Sequence, residues 1–267
     1  MTILTIAPSF APGQPHPVIT DPLFFALAIP AVIALGLAKG GFAGVGQIAT
    51  PLLALLLPPL EAAALLLPIM MVQDAISVWV YRRQWSAWNL KVMLPGALIG
   101  IAVAWALASY VSDGFVRLGV GLISFAYVLN TWFAKPPSGA SAPGTASGVF
   151  WGALSGFTST MAQAGGPPFQ IHVLPQRLEK LTYVGTNVMF FAVINAVKVV
   201  PYFALGNFTP QNFTTSVALF PLAAASSLLG VWLVRRVPTV IFYKIAHALI
   251  FLISLELIRA GIMDLLR

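Results

Sequence analysis

Three ionisable side chains stand inside runs that are otherwise apolar: Lys39, Asp74 and Lys198. Two further stretches gather small and hydrogen-bonding residues in the same greasy surroundings. These are "KGGFAGVGQIATP" (39–51) and "SGFTSTMAQAGGPPF" (155–169). Glycines let a backbone approach a small ligand closely. Proline favours the first turn of a helix, whose free N–H groups and positive dipole end attract anions. Ammonium groups attract anions too. Together these residue types suit the non-covalent capture of a small anion, with no bond made or broken.

Covalent and metal chemistry find little support. The chain has no Cys, and its three His are well apart. It contains no H-E-x-x-H, no G-x-S-x-G and no G-x-x-x-x-G-K-[ST]. The expectation is therefore a protein that is not an enzyme, with no cofactor and no metal, and any energy it uses drawn from a gradient or from its substrate.

The elements that must position these residues follow from composition. Of 267 residues, 59% are hydrophobic and 8% charged, and the mean hydropathy is +0.91. Soluble domains carry about 25% charged residues, so this chain uses lipid as its solvent. Its net charge of +7 is not a nucleic-acid signal, because the basic residues fall mostly in gaps between apolar runs.

A span needs about 20 apolar residues. Candidates are 22–39, 61–81, 92–110, 115–134, 147–164, 181–205, 213–234 and 242–262. Two pieces, 48–57 and 167–175, are too short to cross alone, and each follows a Gly-rich break at 40–49 or 156–166. Residues 1–21 read as an irregular tail, 22–134 as one transmembrane repeat, 135–146 as a linker, and 147–267 as a second repeat. The halves share an order: Gly, a Gly-Phe pair, small residues, a Gln, a Pro, a short apolar piece, another Pro, then a long span. The expected fold is all-α and polytopic, with two homologous halves that each hold a broken, re-entrant helix hairpin.

Orientation follows from the basic loops. Arg82, Arg83, Lys91, Lys135, Arg177, Lys180, Arg235, Arg236 and Lys244 share one side only if both short pieces turn back. Each half then counts five crossings or part-crossings, which makes the repeats inverted. Arg117, Arg259 and Arg267 are exceptions on the outer side. If the short pieces merely continue the preceding helices, the repeats are parallel and one basic loop falls on the wrong side. Trp79, Trp85, Trp88, Trp105, Trp132 and Trp232 sit near span ends as interface anchors.

Broken helices survive in lipid only where protein or a water-filled cavity satisfies the freed backbone. Matched breaks in two repeats mark a transporter's substrate site. The competing reading, glycines that only permit tight packing, suits one such stretch better than two. Candidate substrate-binding residues are Lys39, Gly40, Gly41, Gly44, Gly46, Gln47 and Thr50 from the first half. The second half offers Thr158, Ser159, Thr160, Gln163, Gly165, Gly166, Asn187 and Lys198. Asp74 is expected to pair with Lys39 or Lys198, or to carry a coupling proton. Glu256, beside His247 and Arg259, receives no role.

Both Gly-rich stretches resemble the repeated motif of the TauE/SafE sulfite exporter family of membrane permeases. The resemblance rests on "GGFAGVGQIATPLL" (40–53) and "SGFTSTMAQAGGPPF" (155–169), and covers about residues 25–264 in repeat order, loop placement and span count. Gln47 and Gln163 depart from the small residues more usual there. The resemblance implies a secondary transporter exporting sulfite, sulfoacetate or another small organosulfonate across a bacterial inner membrane. It implies the bilayer and a small anion as partners, with a homodimer as a candidate assembly and no nucleic acid. An anion channel, or a permease for a non-sulfur organic anion, stays open at this point.

Overall fold

The computed structural model describes residues 21–42, 45–53, 56–57, 59–107, 110, 112–133, 144–204 and 210–266. Their regular elements are all helical. Helix α1 (Pro22–Gly40) begins where Asp21 accepts a hydrogen bond from the Leu23 N–H at 2.8 Å, a side-chain cap followed by proline in the first turn. It stops at Gly41, whose φ of 141° lies where a side chain would be strained. A 3-10 turn (Val45–Ile48) and the short α2 (Ala49–Leu53) follow, then α3 (Pro59–Tyr81), α4 (Ala87–Leu107) and α5 (Asp113–Phe133). The second half contains α6 (Thr145–Ala162), α7 (Gly166–Val173), a 3-10 turn (Leu174–Gln176), α8 (Lys180–Ala204), α9 (Pro210–Ala218), α10 (Phe220–Arg236) and α11 (Thr239–Leu265).

Each of the eight expected spans corresponds to a helix or helix pair. By length and composition, five helical stretches suffice to cross a membrane: Pro22–Gly40, Ala62–Tyr81, Ala87–Leu107, Lys180–Val200 and Thr239–Leu265. A sixth appears if α9 and α10, bent by 51° at their junction, count as one. The span expected over 213–234 is bent there, since Pro221 opens α10 and cannot donate the hydrogen bond that would continue α9. The apolar part of α5, Gly114–Asn130, is short for a crossing. Helix α6 is diluted by Ser147, Ser155, Thr158, Ser159 and Thr160. The chain is a multi-pass membrane protein.

Packing pairs the helices across the two halves: α4 with α6, α1 with α10, α3 with α8, and α5 with α11. Small residues make the closest approaches, as expected where helices gain no hydrophobic advantage by leaving lipid. A Cβ on Gly96 or Gly100 would collide with the carbonyl of Val149 or Ala153, and one on Gly152 or Gly156 with that of Met93 or Ala97. These pairs rise together, so α4 and α6 run parallel. Gly36 meets Ser226 and Gly40 meets Gly230, so α1 and α10 are parallel as well.

The other two pairs run antiparallel. Gly185, near the start of α8, abuts Tyr81 and the Gln84 carbonyl at the end of α3, whereas Asn195 reaches back to Asp74. Gly114 faces Asp264, while Gly121 faces Ile258. Within the first half, Gln73 Nε2 donates to the Val32 carbonyl at 3.1 Å and Tyr81 Oη to the Gly40 carbonyl at 2.8 Å. Helices α1 and α3 are therefore parallel, although they follow one another with only α2 between them. One end of the bundle collects Arg82 and Arg83 after α3, Lys180 at the start of α8, and Arg235 and Arg236 at the end of α10. Lys180 Nζ fixes that end by donating to the Val234 and Val237 carbonyls at 2.8 and 2.6 Å, a cation on a helix C-terminus.

Candidate functional site

The first break is closed by packing and an ion pair. Gly40 lies against Gly230, and its carbonyl accepts from Tyr81. Lys39, in the last turn of α1, places Nζ 2.6 Å from Asp74 Oδ1 on α3, and 5.9 Å from the Phe191 ring centroid. The other carboxylate oxygen, Oδ2, accepts from Asn195 Nδ2 of α8 at 2.7 Å. Lys39 and Asp74 are both buried, so pairing is what makes either charge tolerable there.

The second break is built from hydroxyls and backbone. It lies further along than the sequence suggested: residues 156–162 remain helical, and the interruption falls at Gln163, Ala164 and Gly165. Hydroxyls explain why. Thr158 and Thr160 return theirs to the carbonyls of Leu154 and Gly156, at 2.8 and 2.9 Å, so this polar run satisfies itself inside the helix. Gln163 then turns left-handed at φ 54°. The Ala164 N–H donates to the Thr158 carbonyl at 3.0 Å, and Ser155 Oγ holds the Gly165 carbonyl at 2.7 Å. Gly166-Pro167-Pro168 starts α7.

Lys198 comes to this break from α8. It is completely buried. Its Nζ donates to Ser159 Oγ at 3.1 Å, Gln163 Oε1 at 3.0 Å and the Ser159 carbonyl at 3.4 Å. No carboxylate of the described residues forms an ion pair with it. The amide of Gln163 is held from its other end, with Nε2 3.3 Å from Tyr202 Oη.

A cavity of about 90 Å3 lies between the breaks. Lys39 lines it from α1, Gly46 from the 3-10 turn, Thr50 from α2 and Met70 from α3. Ser159 of α6, Gln163 and Gly165 of the break, and Gly166 of α7 face it from the second half. Helix α8 contributes Asn187, Phe191 and Asn195. Asn187 is buried, and its Oδ1 has no hydrogen-bond partner among the described residues. The volume would hold several waters or one small anion. It is well under the roughly 300 Å3 of the smaller drug-sized sites.

The structure thus brings Lys39, Gly46, Thr50, Ser159, Gln163, Gly165, Gly166 and Asn187 to one cavity, with Lys198 and Asp74 one bond behind it. Four expected residues are used otherwise. Gly40 and Gly41 pack and cap α1, Thr160 bonds the Gly156 carbonyl of its own helix, and Thr158 bonds carbonyls both of its helix and, at Ala164, of the break. Gly44 and the side chain of Gln47 lie outside the described residues. Asn195 and Phe191, which line the cavity, and Tyr202, which holds Gln163, are absent from the residues expected from sequence. Their signal was present: Asn187, Phe191, Asn195 and Lys198 follow at spacings of four, four and three, one face of a helix.

Among the described residues no group of His, Asp and Glu could hold a metal ion. The arrangement offers two ammonium groups, one carboxylate, amides and a hydroxyl, which is equipment for holding an anion.

A family model, sulfite exporter TauE/SafE, matches residues 28–257, a range that contains both breaks and every residue lining the cavity. No curated protein and no solved structure matches the chain. With most of its length matched, including the breaks that meet at the cavity, the chain belongs to the sulfite exporter TauE/SafE family.

Proposed function

We propose that this protein is a secondary transporter that exports a small anion, sulfite or an organosulfonate such as sulfoacetate, across the bacterial inner membrane. The substrate sits in the cavity between the two breaks. One observation carries this reading: a fully buried ammonium, Lys198, whose partners are all neutral oxygens, at the edge of a cavity lined by both breaks. An uncompensated buried cation is costly, and an anion in the cavity would relieve it. The cavity volume favours sulfite itself over bulkier sulfonates.

The halves are inverted repeats in this reading, with α2 and α7 as returning limbs of re-entrant hairpins. Support comes from helix directions. The equivalent helices α3 and α8 are antiparallel, as are α5 and α11, while α1 runs parallel to α3, so the chain between them must turn back. Inverted repeats that share a midplane site can rock to expose it alternately. The basic end of the bundle is cytoplasmic.

The test is flux through purified protein in liposomes. Sulfite uptake should saturate, and sulfite preloaded inside should accelerate it, as a carrier requires and a channel does not. Failure to move sulfite, sulfoacetate or acetate would overturn the proposal.

A further inference from the structure

We infer that the site is matched to one negative charge: it carries a monoanion as such, and a dianion only together with one proton, received by Asp74. The inference rests on the transport reading above and specifies its substrate class.

The starting point is a count of buried charges. With both amines protonated, Lys39 and Lys198 supply two cations and Asp74 one anion, and all three are buried. Asp74 touches Lys39 and the neutral amide of Asn195. Lys198 touches Ser159 and Gln163. The elements packed against α3 add nothing that changes the count. Helices α2 and α9 contain no charged residue. Arg235 and Arg236 close the far end of α10. On α8, Lys180 is spent on the Val234 and Val237 carbonyls, and Tyr183 and Tyr202 are neutral phenols. Glu61 lies thirteen positions before Asp74 on α3, about 20 Å along the helix at 1.5 Å per residue.

A monoanion brings the loaded site to two positive and two negative charges. A dianion leaves one negative charge in excess, and isolated charge in such surroundings is what proteins avoid most strongly. One proton removes the excess. The Asp74 carboxylate takes it from water on the side where the anion enters. An O–H bond forms, the ion pair with Lys39 is lost, and the Lys39 ammonium, already lining the cavity, faces the second charge of the substrate. On release the proton leaves with the anion and the pair closes again. Nothing is oxidised or reduced.

The test compares two probes of similar size in liposomes holding the wild-type protein and a trapped pH dye. Methanesulfonate carries one charge and sulfate two. Methanesulfonate should enter without acidifying the lumen. Sulfate should enter with one proton per ion, and about tenfold or more slowly in mildly alkaline than in mildly acidic buffer, given the cost of an unmatched buried charge. Asp74→Asn should abolish proton entry and shift preference toward sulfate by about tenfold, since two unpaired cations remain. If that variant fails to fold, the wild-type comparison decides alone. Sulfate entering unaccompanied at the rate of methanesulfonate overturns the inference, as does its exclusion from both buffers. In either case sulfite flux would leave the transport reading standing. No flux of sulfite, methanesulfonate or sulfate removes that reading as well.

Discussion

The two helix breaks share a sequence theme and answer it with different physics. At the first, an ammonium meets a carboxylate: Lys39 lies 2.6 Å from Asp74, and glycine packing closes the backbone. At the second, an ammonium meets only neutral oxygens, and hydroxyls hold the turn: Lys198 on Ser159 and Gln163, Ser155 on the Gly165 carbonyl. The first break is balanced within itself. The second is one negative charge short. In the proposed mechanism the Lys39–Asp74 pair holds the fold around the cavity and opens only when a dianion brings a proton, and Lys198 attracts the anion.

That assignment can be broken by separating stability from flux. Lys39→Met should strand a buried carboxylate and destabilise the protein by about 3–5 kcal/mol. Thermal melting in detergent checks it, and the double change with Asp74→Asn should recover much of the loss. Lys198→Met should behave in the opposite way. Its neutral partners lose a donor but strand no charge, so melting moves little while sulfite flux falls about a hundredfold or more, as when one member of a buried charged contact is truncated. Equal effects of both substitutions on both readouts would erase the distinction.

Smaller changes sharpen it. Gln163→Glu puts a carboxylate where an amide oxygen now accepts from Lys198. An internal anion then competes with the substrate, and the apparent sulfite affinity should drop about tenfold, the worth of a hydrogen bond to a charged group. Tyr81→Phe removes one bond to the Gly40 carbonyl at the first break. It should cost about 1 kcal/mol in melting and leave flux close to wild type.

Much of this was legible in the sequence, for identifiable reasons. Lys39, Asp74 and Lys198 stood out because charge in an apolar run demands an explanation, and the few partners within reach left Asp74 to Lys39 or Lys198, between which the structure selects Lys39. The proline after each break located α2 and α7. The exact place of the second break was hidden because "SGFTST" looks like a loop by composition. Its Thr hydroxyls satisfy themselves on carbonyls of a helix that runs to Ala162, and composition carries no sign of that choice. The bend between α9 and α10 was missed because one long apolar run hides an angle. How each glycine is used is a matter of tertiary neighbours: Gly40 abuts Gly230, whereas Gly46 packs on Ala38 and also lines the cavity, yet the two belong to one motif.

The central claim is that both breaks face a single anion. The chain has no cysteine, so single introduced thiols report cleanly. Thr50→Cys on α2 and Gly166→Cys on α7 each line the cavity from one half. Their rates of modification by a small charged methanethiosulfonate reagent should both be slowed by sulfite, with the same half-saturating concentration. Protection of one thiol alone, or of the two at different sulfite concentrations, would contradict a shared site.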